Sequence, residues 1–406
     1  PVRPVRWRVR HRGGAAPGGS SGHGRCNPPA GHRPPRRGAT PSPGEFRRLD
    51  ERQRPRQPAP TTAGRQPQRE ARPAGRDTTP GDRRVAASGL RPPEAPRRQP
   101  LTDPIRSAYL AAPGFEAELA EELSRAGRSV PAWHGRLALS PDPPGPAAWA
   151  ADIWTECQTL EAPSIGAAAR ALRAIQRNWS LYAAAHHRRA TLIAEALPPV
   201  SARPLAFPAP APTAPLGAFT LLDPGRLLAS PAKASPVPNG EWRFVEDREG
   251  PPSRAYLKLW EALSRLGRHP APGERCLDLG ASPGGWTWAL AKLGARVVAV
   301  DKATIDPRVA AMPGVEVRLE SAFGLDPARE AAEWLFSDVI CYPERLLALV
   351  RRWIAAGTVA NLVCTVKFQG ATDSAAVEAF AAIPGAVLFH GSHNKHELTF
   401  ARLAPG

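Results

Sequence analysis

The chain has 406 residues and a formal net charge of +17, and this charge is concentrated in its first quarter. Residues 1–100 hold 23 Arg, no Lys and 7 acidic side chains, whereas residues 101–406 hold 31 basic and 30 acidic ones. The length predicts two or three domains. The uneven charge excludes a uniformly basic protein that coats nucleic acid along its whole surface.

The sequence gives little evidence for a membrane protein, a secreted protein or a metal-dependent protein. No stretch approaches the ~18–20 apolar residues of a membrane span, and Arg interrupts the N-terminal region too often for a signal peptide. The five cysteines lie far apart, with no CxxC pair and no His at ligand spacing, which argues against disulfide frameworks and structural zinc sites. We therefore expect a cytoplasmic protein without a metal site.

Residues 1–105 are predicted to be a disordered leader rich in Arg and Pro. The first 100 residues include 19 Pro and 13 Gly, and only nine are Val, Leu, Phe, Trp or Cys, too few to offset chain entropy by burial. The leader could be an arm that contacts RNA phosphates, or it could lack a function. The second interpretation is favoured because the sequence starts at Pro1 rather than Met, which could be an artefact, and because Arg also exceeds Lys by 25 to 6 afterwards.

Residues 106–250 are predicted to form a small α+β domain. A strand over Ser107–Ala112 is followed by a turn, and then by Phe115, Leu119 and Leu123 at helical spacing. Two short apolar segments on either side of Asp223-Pro224-Gly225 predict a hairpin.

A longer helix is predicted over residues 164–182. Its apolar face includes Trp179, and Arg170, Arg173 and Arg177 fall on another face. These arginines could contact RNA phosphates, but a solvated helix face is the commoner meaning of such a pattern.

From residue 254 onward, helices alternate with strands. The predicted strands are 275–279, 296–300, 316–319, 335–339, 359–368, 386–389 and 398–403, and the predicted helices are 257–266, 285–293, 344–356 and 374–383. This alternation predicts an α/β fold with a mostly parallel sheet for residues 251–406.

The strongest local motif is the Gly-rich turn, residues 278–286, with the sequence Asp-Leu-Gly-Ala-Ser-Pro-Gly-Gly-Trp. It follows a predicted strand and opens a helix, and ligands of open α/β sheets bind at such strand ends. The glycine spacing is neither GxGxxG nor GxxxxGK[ST], which argues against NAD and ATP. Asp301 ends the next strand and offers an acceptor for a ribose diol. A nucleoside-type cofactor is therefore predicted, in preference to a turn that serves packing alone.

Four charged residues occur where catalysis in such a sheet would need them. Lys258 lies on an otherwise apolar helix, Asp338 and Lys367 end predicted strands, and Glu397 follows a polar segment. Each alone could be part of a rim salt bridge. Two lysines and two acids around one crevice are better explained by a reaction site.

The Gly-rich turn and the four charged residues resemble the motifs of the FtsJ-like ribose 2′-O-methyltransferases. Those enzymes bind S-adenosylmethionine, have a Rossmann-like fold and use a Lys-Asp-Lys-Glu tetrad. The tetrad positions would be Lys258, Asp338, Lys367 and Glu397. The resemblance implies cofactor contacts from Asp278, Gly280, Ser282, Pro283, Gly284, Gly285, Trp286, Asp301, Ser321 and Asp338. Ser321 stands where the family usually has an acidic residue, so we expect weaker cofactor binding.

A narrower resemblance to the RlmM-type enzymes is carried by Pro-Ser-Arg-Ala-Tyr-Leu-Lys-Leu at 252–259 and Pro-Gly-Phe-Glu at 113–116. It implies that residues 106–250 are a THUMP-related RNA-binding region. It also implies that the substrate is a cytidine ribose of large-subunit ribosomal RNA. The middle region is short and rich in Pro compared with a full THUMP domain.

The resemblance implies a reaction in which a base activates a ribose 2′-OH, and Lys367 is the candidate base. A lysine must be neutral to accept a proton. Burial and the like charge of Lys258 favour that form, whereas Asp338 and Glu397 favour the charged one. Lys258 could stabilise developing negative charge on the oxygen. Two alternatives stay open: a methyltransferase for another substrate, and a non-catalytic RNA-binding or assembly factor on a methyltransferase scaffold.

Overall fold

The computed structural model describes residues 104–405, which form three β-sheets and eight α-helices. The expectation of disorder for residues 1–105 therefore lies outside the described residues, except for its last two positions. No helix within residues 104–405 is long and apolar enough to cross a membrane.

The first sheet begins with the strand predicted at residue 107. Its strands are β1 (Ser107–Ala111), β2 (Ala132–His134), β3 (Leu137–Ser140) and β4 (Ala150–Trp154), in the spatial order β2-β3-β1-β4 with antiparallel neighbours throughout. Helix α1 (Glu116–Arg125) buries Leu119 and Leu123, whose spacing predicted it. The short strands β2, β3 and β4 were not predicted, because such runs carry little periodic signal.

The second sheet contains the predicted hairpin. Its strands are β5 (Gln158–Glu161), β6 (Trp179–Leu181), β7 (Gly217–Asp223) and β8 (Arg226–Ser230), in the order β5-β8-β7-β6, and its helices are α2 (Ile165–Ile175) and α3 (His187–Glu195). Strands β7 and β8 are antiparallel, as predicted. Ser164 caps α2 by accepting a hydrogen bond from the Ala167 backbone N–H.

The prediction of a single helix over residues 164–182 is wrong for its second half. Helix α2 ends at Ile175, and Gln176 has an extended backbone. Trp179 belongs to β6, which pairs in parallel with β7, and its indole Nε1 donates to the Leu172 and Gln176 carbonyls. Trp179 thus packs on α2 from a neighbouring strand, which explains why its spacing resembled that of a helical residue.

The third sheet holds the alternating elements predicted after residue 254. Its strands are β9 (Arg275–Leu279), β10 (Arg296–Asp301), β11 (Val315–Leu319), β12 (Ala332–Ser337), β13 (Val359–Lys367), β14 (Ala386–Phe389) and β15 (Glu397–Arg402). The helices are α4 (Tyr256–Leu266), α5 (Gly285–Lys292), α6 (Pro307–Ala310), α7 (Pro343–Ala356) and α8 (Ser374–Ala381).

This sheet has the strand order β11-β10-β9-β12-β13-β15-β14. The first five strands are mutually parallel, and β15 runs antiparallel to both of its neighbours. The predicted α/β fold with a mostly parallel sheet is confirmed. Because β15 is reversed, its first residue lies at the edge where the parallel strands have their carboxyl ends.

Alternating residues of the parallel strands belong to two different apolar clusters, one on each face of the sheet. The cluster that contains Cys276 includes α4, α5 and α6 residues, whereas the cluster that contains Leu277 includes α7 and α8 residues. The second cluster also contains Tyr109 and Trp149 from the first sheet and the turn before β4. The first sheet therefore shares a core with the parallel sheet. A domain boundary near residue 250 stays a prediction.

Candidate active site

Four charged side chains from four separate segments meet at the carboxyl edge of the parallel sheet. Lys258 lies in the first turn of α4, and Asp338 directly follows β12. Lys367 ends β13 and Glu397 begins β15, and these two residues are direct cross-strand partners. We call Lys258, Asp338, Lys367 and Glu397 the four-charge cluster.

Lys258 bridges the two carboxylates of the four-charge cluster. Its Nζ lies 2.9 Å from Asp338 Oδ1, 3.0 Å from Asp338 Oδ2 and 3.1 Å from Glu397 Oε1. Lys367 Nζ lies 3.1 Å from Asp338 Oδ1 and donates a hydrogen bond to the Asp338 backbone carbonyl at 2.5 Å. Asp338 therefore holds both lysines, and the cluster is one connected network.

The four-charge cluster is mostly shielded from water but stays reachable. The side chains are 12% (Lys258), 16% (Asp338), 18% (Lys367) and 8% (Glu397) exposed. Charges at this depth are costly unless paired, and here two positive groups face two negative ones. Lys367 is the most exposed of the four, so an incoming group can approach it.

The surroundings of Lys258 keep it protonated. Burial alone would lower the pKa of Lys258, but the charges of Asp338 and Glu397 and the hydrogen bonds to them outweigh burial, so its pKa is raised. Lys258 therefore stays an ammonium group at neutral pH. It is suited to hold an oxyanion and unsuited to accept a proton.

The Gly-rich turn, residues 278–286, is held tightly between two other segments. Gly280 has φ +83°, and a Cβ there would lie 2.7 Å from the Val339 Cα. A Cβ on Gly285 would lie 2.5 Å from Ser253 Oγ, and Gly284 has φ +111°. Backbone conformation and protein packing thus demand these glycines, so their presence alone does not identify a ligand site.

Asp278 gives the clearer indication of a ligand next to the Gly-rich turn. It is fully buried, its Oδ2 accepts a hydrogen bond from Thr287 Oγ1 at 2.6 Å, and its Oδ1 is buried with no hydrogen-bond partner. Burial, with a smaller contribution from Asp338 and Asp301 and against the Thr287 hydrogen bond, raises the pKa of Asp278 to about 7. A buried oxygen without a partner fits a polar hydrogen from a bound molecule, as an amino group of S-adenosylmethionine would supply.

Asp301 organises the Gly-rich turn from the next strand. At the end of β10, it accepts hydrogen bonds from the backbone N–H of Ser282 at 3.0 Å and of Ala303 at 2.9 Å. Ser282 Oγ in turn donates to the Thr304 carbonyl at 3.0 Å. The predicted diol acceptor is therefore fixed in place, and it also fixes the turn beside it.

The other predicted cofactor residues have mixed surroundings. Pro283 is exposed, and Ser321 is half-buried in the turn after β11, where its carbonyl accepts from Gly324 N–H. Trp286 is buried, and its Nε1 donates to the Ala255 carbonyl at 2.9 Å. The Trp286 side chain joins α5 to the start of α4.

Three of the cysteines that the structure describes are buried, and none of them belongs to the four-charge cluster. Cys276, Cys341 and Cys364 are buried free thiols. Within residues 104–405, no three His, Cys, Asp or Glu side chains are grouped so that they could hold a metal ion.

Sequence reasoning missed two groups beside the four-charge cluster. Glu261 is 1% exposed on α4, three residues after Lys258. The second group is an aromatic cluster of Phe115, Trp149, Phe368, His390 and His396, with ring centroids 4.5–5.9 Å apart. A charged residue inside an apolar helical run was the available signal for Glu261. The aromatic cluster joins residues too distant in sequence to be recognised together.

Comparison with known proteins relates part of the chain, including part of the site, to one class of enzyme. Residues 251–342 match a family model described as FtsJ-like methyltransferase. The match covers the start of α4, the Gly-rich turn and Asp338, and it confirms the resemblance predicted from the sequence. It also supports S-adenosylmethionine as the cofactor of this part of the chain.

Several curated proteins that are similar to this part of the chain share one name. The chain is 42% identical over 120 residues to Ribosomal RNA large subunit methyltransferase M of Halorhodospira halophila, covering 29% of this chain and 35% of the relative. It is 40% identical over 156 residues to the protein of the same name in Aromatoleum aromaticum, covering 37% of this chain and 42% of the relative. The matched region thus spans less than half of the length of these relatives.

Among solved structures, a ribosomal RNA methyltransferase from Plasmodium falciparum aligns with a TM-score of 0.28 and 15% identity. The alignment covers 37% of this chain and 97% of that structure.

Proposed function

We propose that this protein transfers a methyl group from S-adenosylmethionine to a ribose 2′-OH of RNA, and that its target is a cytidine of large-subunit ribosomal RNA. The observation that carries the proposal is the four-charge cluster, in which one lysine is held between two carboxylates and a second lysine shares one of them. The FtsJ-like match and the relatives named for large-subunit ribosomal RNA support the choice of reaction and substrate.

The two lysines are proposed to have different roles in the reaction. S-adenosylmethionine supplies a methyl group that its sulfonium already activates, so the protein must align an oxygen nucleophile and remove its proton. Lys367, in its neutral form, accepts the 2′-OH proton as the new O–C bond forms and the methyl–sulfur bond breaks. Lys258, held protonated, stabilises negative charge that develops on the oxygen. Asp338 orients both amines, and Glu397 fixes Lys258 from the other side.

The surroundings of Lys258 and Lys367 support these different roles. Lys258 contacts two carboxylates, whereas Lys367 contacts one carboxylate and one backbone carbonyl. A neutral amine costs less free energy where fewer negative charges surround it. Lys367 is therefore better suited than Lys258 to act as the base.

The decisive experiment is radiolabelled methyl transfer to ribosomal RNA that lacks its natural modifications, followed by nuclease digestion to identify the modified nucleotide. We expect label in a 2′-O-methylcytidine. The Lys367→Ala variant should lose about 10²- to 10⁴-fold in rate, the usual contribution of a positioned base. Its affinity for S-adenosylmethionine, measured by calorimetry, should be unchanged.

A matched control is Lys292→Ala, which removes a lysine from the last turn of α5. It should keep the wild-type rate. A Lys367→Ala rate close to wild type would refute the role of Lys367. Cofactor binding by the wild type without transfer to any RNA would favour a non-catalytic scaffold, and label on a base nitrogen would favour another methyltransferase class.

A further inference from the structure

Glu261 is a buried carboxylate that the proposed reaction does not use. It lies on α4 at 1% exposure, three residues after Lys258, so the two side chains project from neighbouring positions on one helix. Its Oε1 accepts a hydrogen bond from Arg265 Nε at 2.9 Å. Arg265 does not use all of the acceptor positions of the Glu261 carboxylate, and the remaining ones face a different part of the chain.

Those positions face the 391–396 loop, which joins β14 to β15. The Ser392 N–H donates to Glu261 Oε1 at 2.9 Å, and the His393 N–H donates to Glu261 Oε2 at 3.3 Å. A Cβ on Gly391 would lie 3.0 Å from Glu261 Oε2. The loop therefore passes as close to the carboxylate as its backbone permits.

The contacts continue from the loop to Glu397. The Asn394 N–H donates to the Gly391 carbonyl at 3.0 Å, which closes a turn. Asn394 Nδ2 donates to the Glu397 carbonyl and to Thr399 Oγ1, both at 3.2 Å. An unbroken series of hydrogen bonds thus leads from Glu261 to the backbone of Glu397.

From these contacts we propose that Glu261 is a positioning residue, which sets Glu397 against Lys258 by fixing the 391–396 loop to α4. Helix α4 carries Lys258 at the amine end of the 3.1 Å contact, and Glu397, the first residue after the loop, lies at its carboxylate end. A carboxylate that binds both segments fixes the separation of the two charged groups. This inference rests on the proposed function and adds to it the origin of the cluster's geometry.

The test is the Glu261→Gln variant of the full chain. Glutamine keeps the size of the side chain but presents an N–H₂ where one backbone N–H now donates, so the loop loses an acceptor. We expect the single-turnover rate of RNA methylation to fall about 10- to 100-fold, as expected for a misplacement of about 1 Å. The affinity for S-adenosylmethionine and the KM for RNA should stay within about twofold of wild type.

Glu330→Gln provides the matched control. Glu330 is 13% exposed and pairs with Arg275 and Arg318. Arg275 begins β9 and lies at the opposite end of the sheet. This variant loses a partly buried, Arg-paired carboxylate without touching the 391–396 loop, so its turnover should equal that of wild type even if its stability falls. An equal loss of turnover in both variants would mean that Glu261 acts only through stability, and would overturn the proposal.

A double-mutant cycle and hydrogen exchange complete the test. In a Glu397→Gln background, Glu261→Gln should cost less than about twofold, because it acts through the group already removed. Independent, additive losses would overturn the proposal. Amide exchange in Glu261→Gln should accelerate in peptides over residues 390–398 and not in peptides over β9 and β10. This measurement needs no RNA, so it distinguishes failure of the positioning role from failure of the proposed function.

If Glu261→Gln does not fold, Gly391→Ala supplies a second variant. The added Cβ pushes the loop away from Glu261 Oε2 while leaving the buried charge in place. The same selective loss of turnover is expected. Wild-type turnover in a folded Gly391→Ala protein whose loop has moved would also refute the proposal.

Discussion

Lys258 and Lys367 have identical side chains, but the groups that contact them differ. Two carboxylates hold Lys258, and they outweigh its burial and raise its pKa. Lys367 has one carboxylate and one carbonyl beside it. Glu397 therefore adds a second carboxylate contact to Lys258, beside the contact that Asp338 makes with both lysines.

Asp278 leads to a prediction about stability and pH. Its pKa is raised to about 7 in the folded protein, against about 3.9 when unfolded. Between these values the folded state keeps a proton that the unfolded state has lost, so stability falls as the pH rises from about 4 to about 7. Asp278→Asn should remove this penalty, which a shift of about three pKa units places at up to about 4 kcal/mol.

The measurement is urea unfolding of wild type and Asp278→Asn, without cofactor, at pH 5 and pH 8. The gain in unfolding free energy from the substitution should be larger at pH 8 than at pH 5. Comparing the two proteins at each pH cancels the titration of the groups that do not interact with Asp278. A difference that does not change with pH would show that Asp278 is ionised in the folded protein.

At the scale of elements, the turn before β4 connects the first sheet to the strands that carry Lys367 and Glu397. Glu122 of α1 accepts from the Ala148 and Trp149 N–H groups at 2.7 and 3.0 Å, and the His390 N–H donates to the Ala148 carbonyl at 2.6 Å. Trp149 then packs among rings from the positions next to the site. The first sheet is thus part of the framework of the site.

Trp149→Ala should therefore reduce both stability and turnover. Removing a 2% exposed indole should cost about 3–5 kcal/mol in unfolding free energy. At temperatures where the variant is folded, methyl transfer should still fall, because Phe368 and His396 flank Lys367 and Glu397. The half-buried Trp133 of β2 supplies the control, since Trp133→Ala should cost less stability and leave turnover unchanged. Full turnover in folded Trp149→Ala would separate the aromatic cluster from the site.

Except for the short helix α6, the elements after residue 254 could be predicted from their apolar runs and from the alternation of helix and strand. The second half of the 164–182 helix could not, because Trp179 gains its partner from β7, 38 residues later in the chain. The same limit applies to the candidate site: local patterns were visible in the sequence, and contacts between distant residues were not. Charged residues at strand ends were visible in sequence, whereas Glu261 binds backbone groups about 130 residues away, and no local pattern reports such a contact.

At the scale of the whole molecule, most of the net charge lies outside the described residues. If residues 1–103 are a leader without function, a variant that begins at residue 104 should methylate RNA at the wild-type rate at an ionic strength of about 0.15 M. The slope of log affinity against log salt should also be unchanged, since each lost phosphate contact would reduce it by about 0.7–0.9. A shallower slope or lost activity would show instead that the Arg-rich segment binds RNA.

The pairing of two cations with two anions also governs the range over which the four-charge cluster acts. A set of charges that sums to zero produces a field that decays much faster with distance than that of a single ion. Such a cluster cannot attract a polyanion from afar or accelerate its diffusional encounter. It acts only on atoms already within a few ångströms. Under the proposed function, the capture of RNA therefore falls to another part of the molecule.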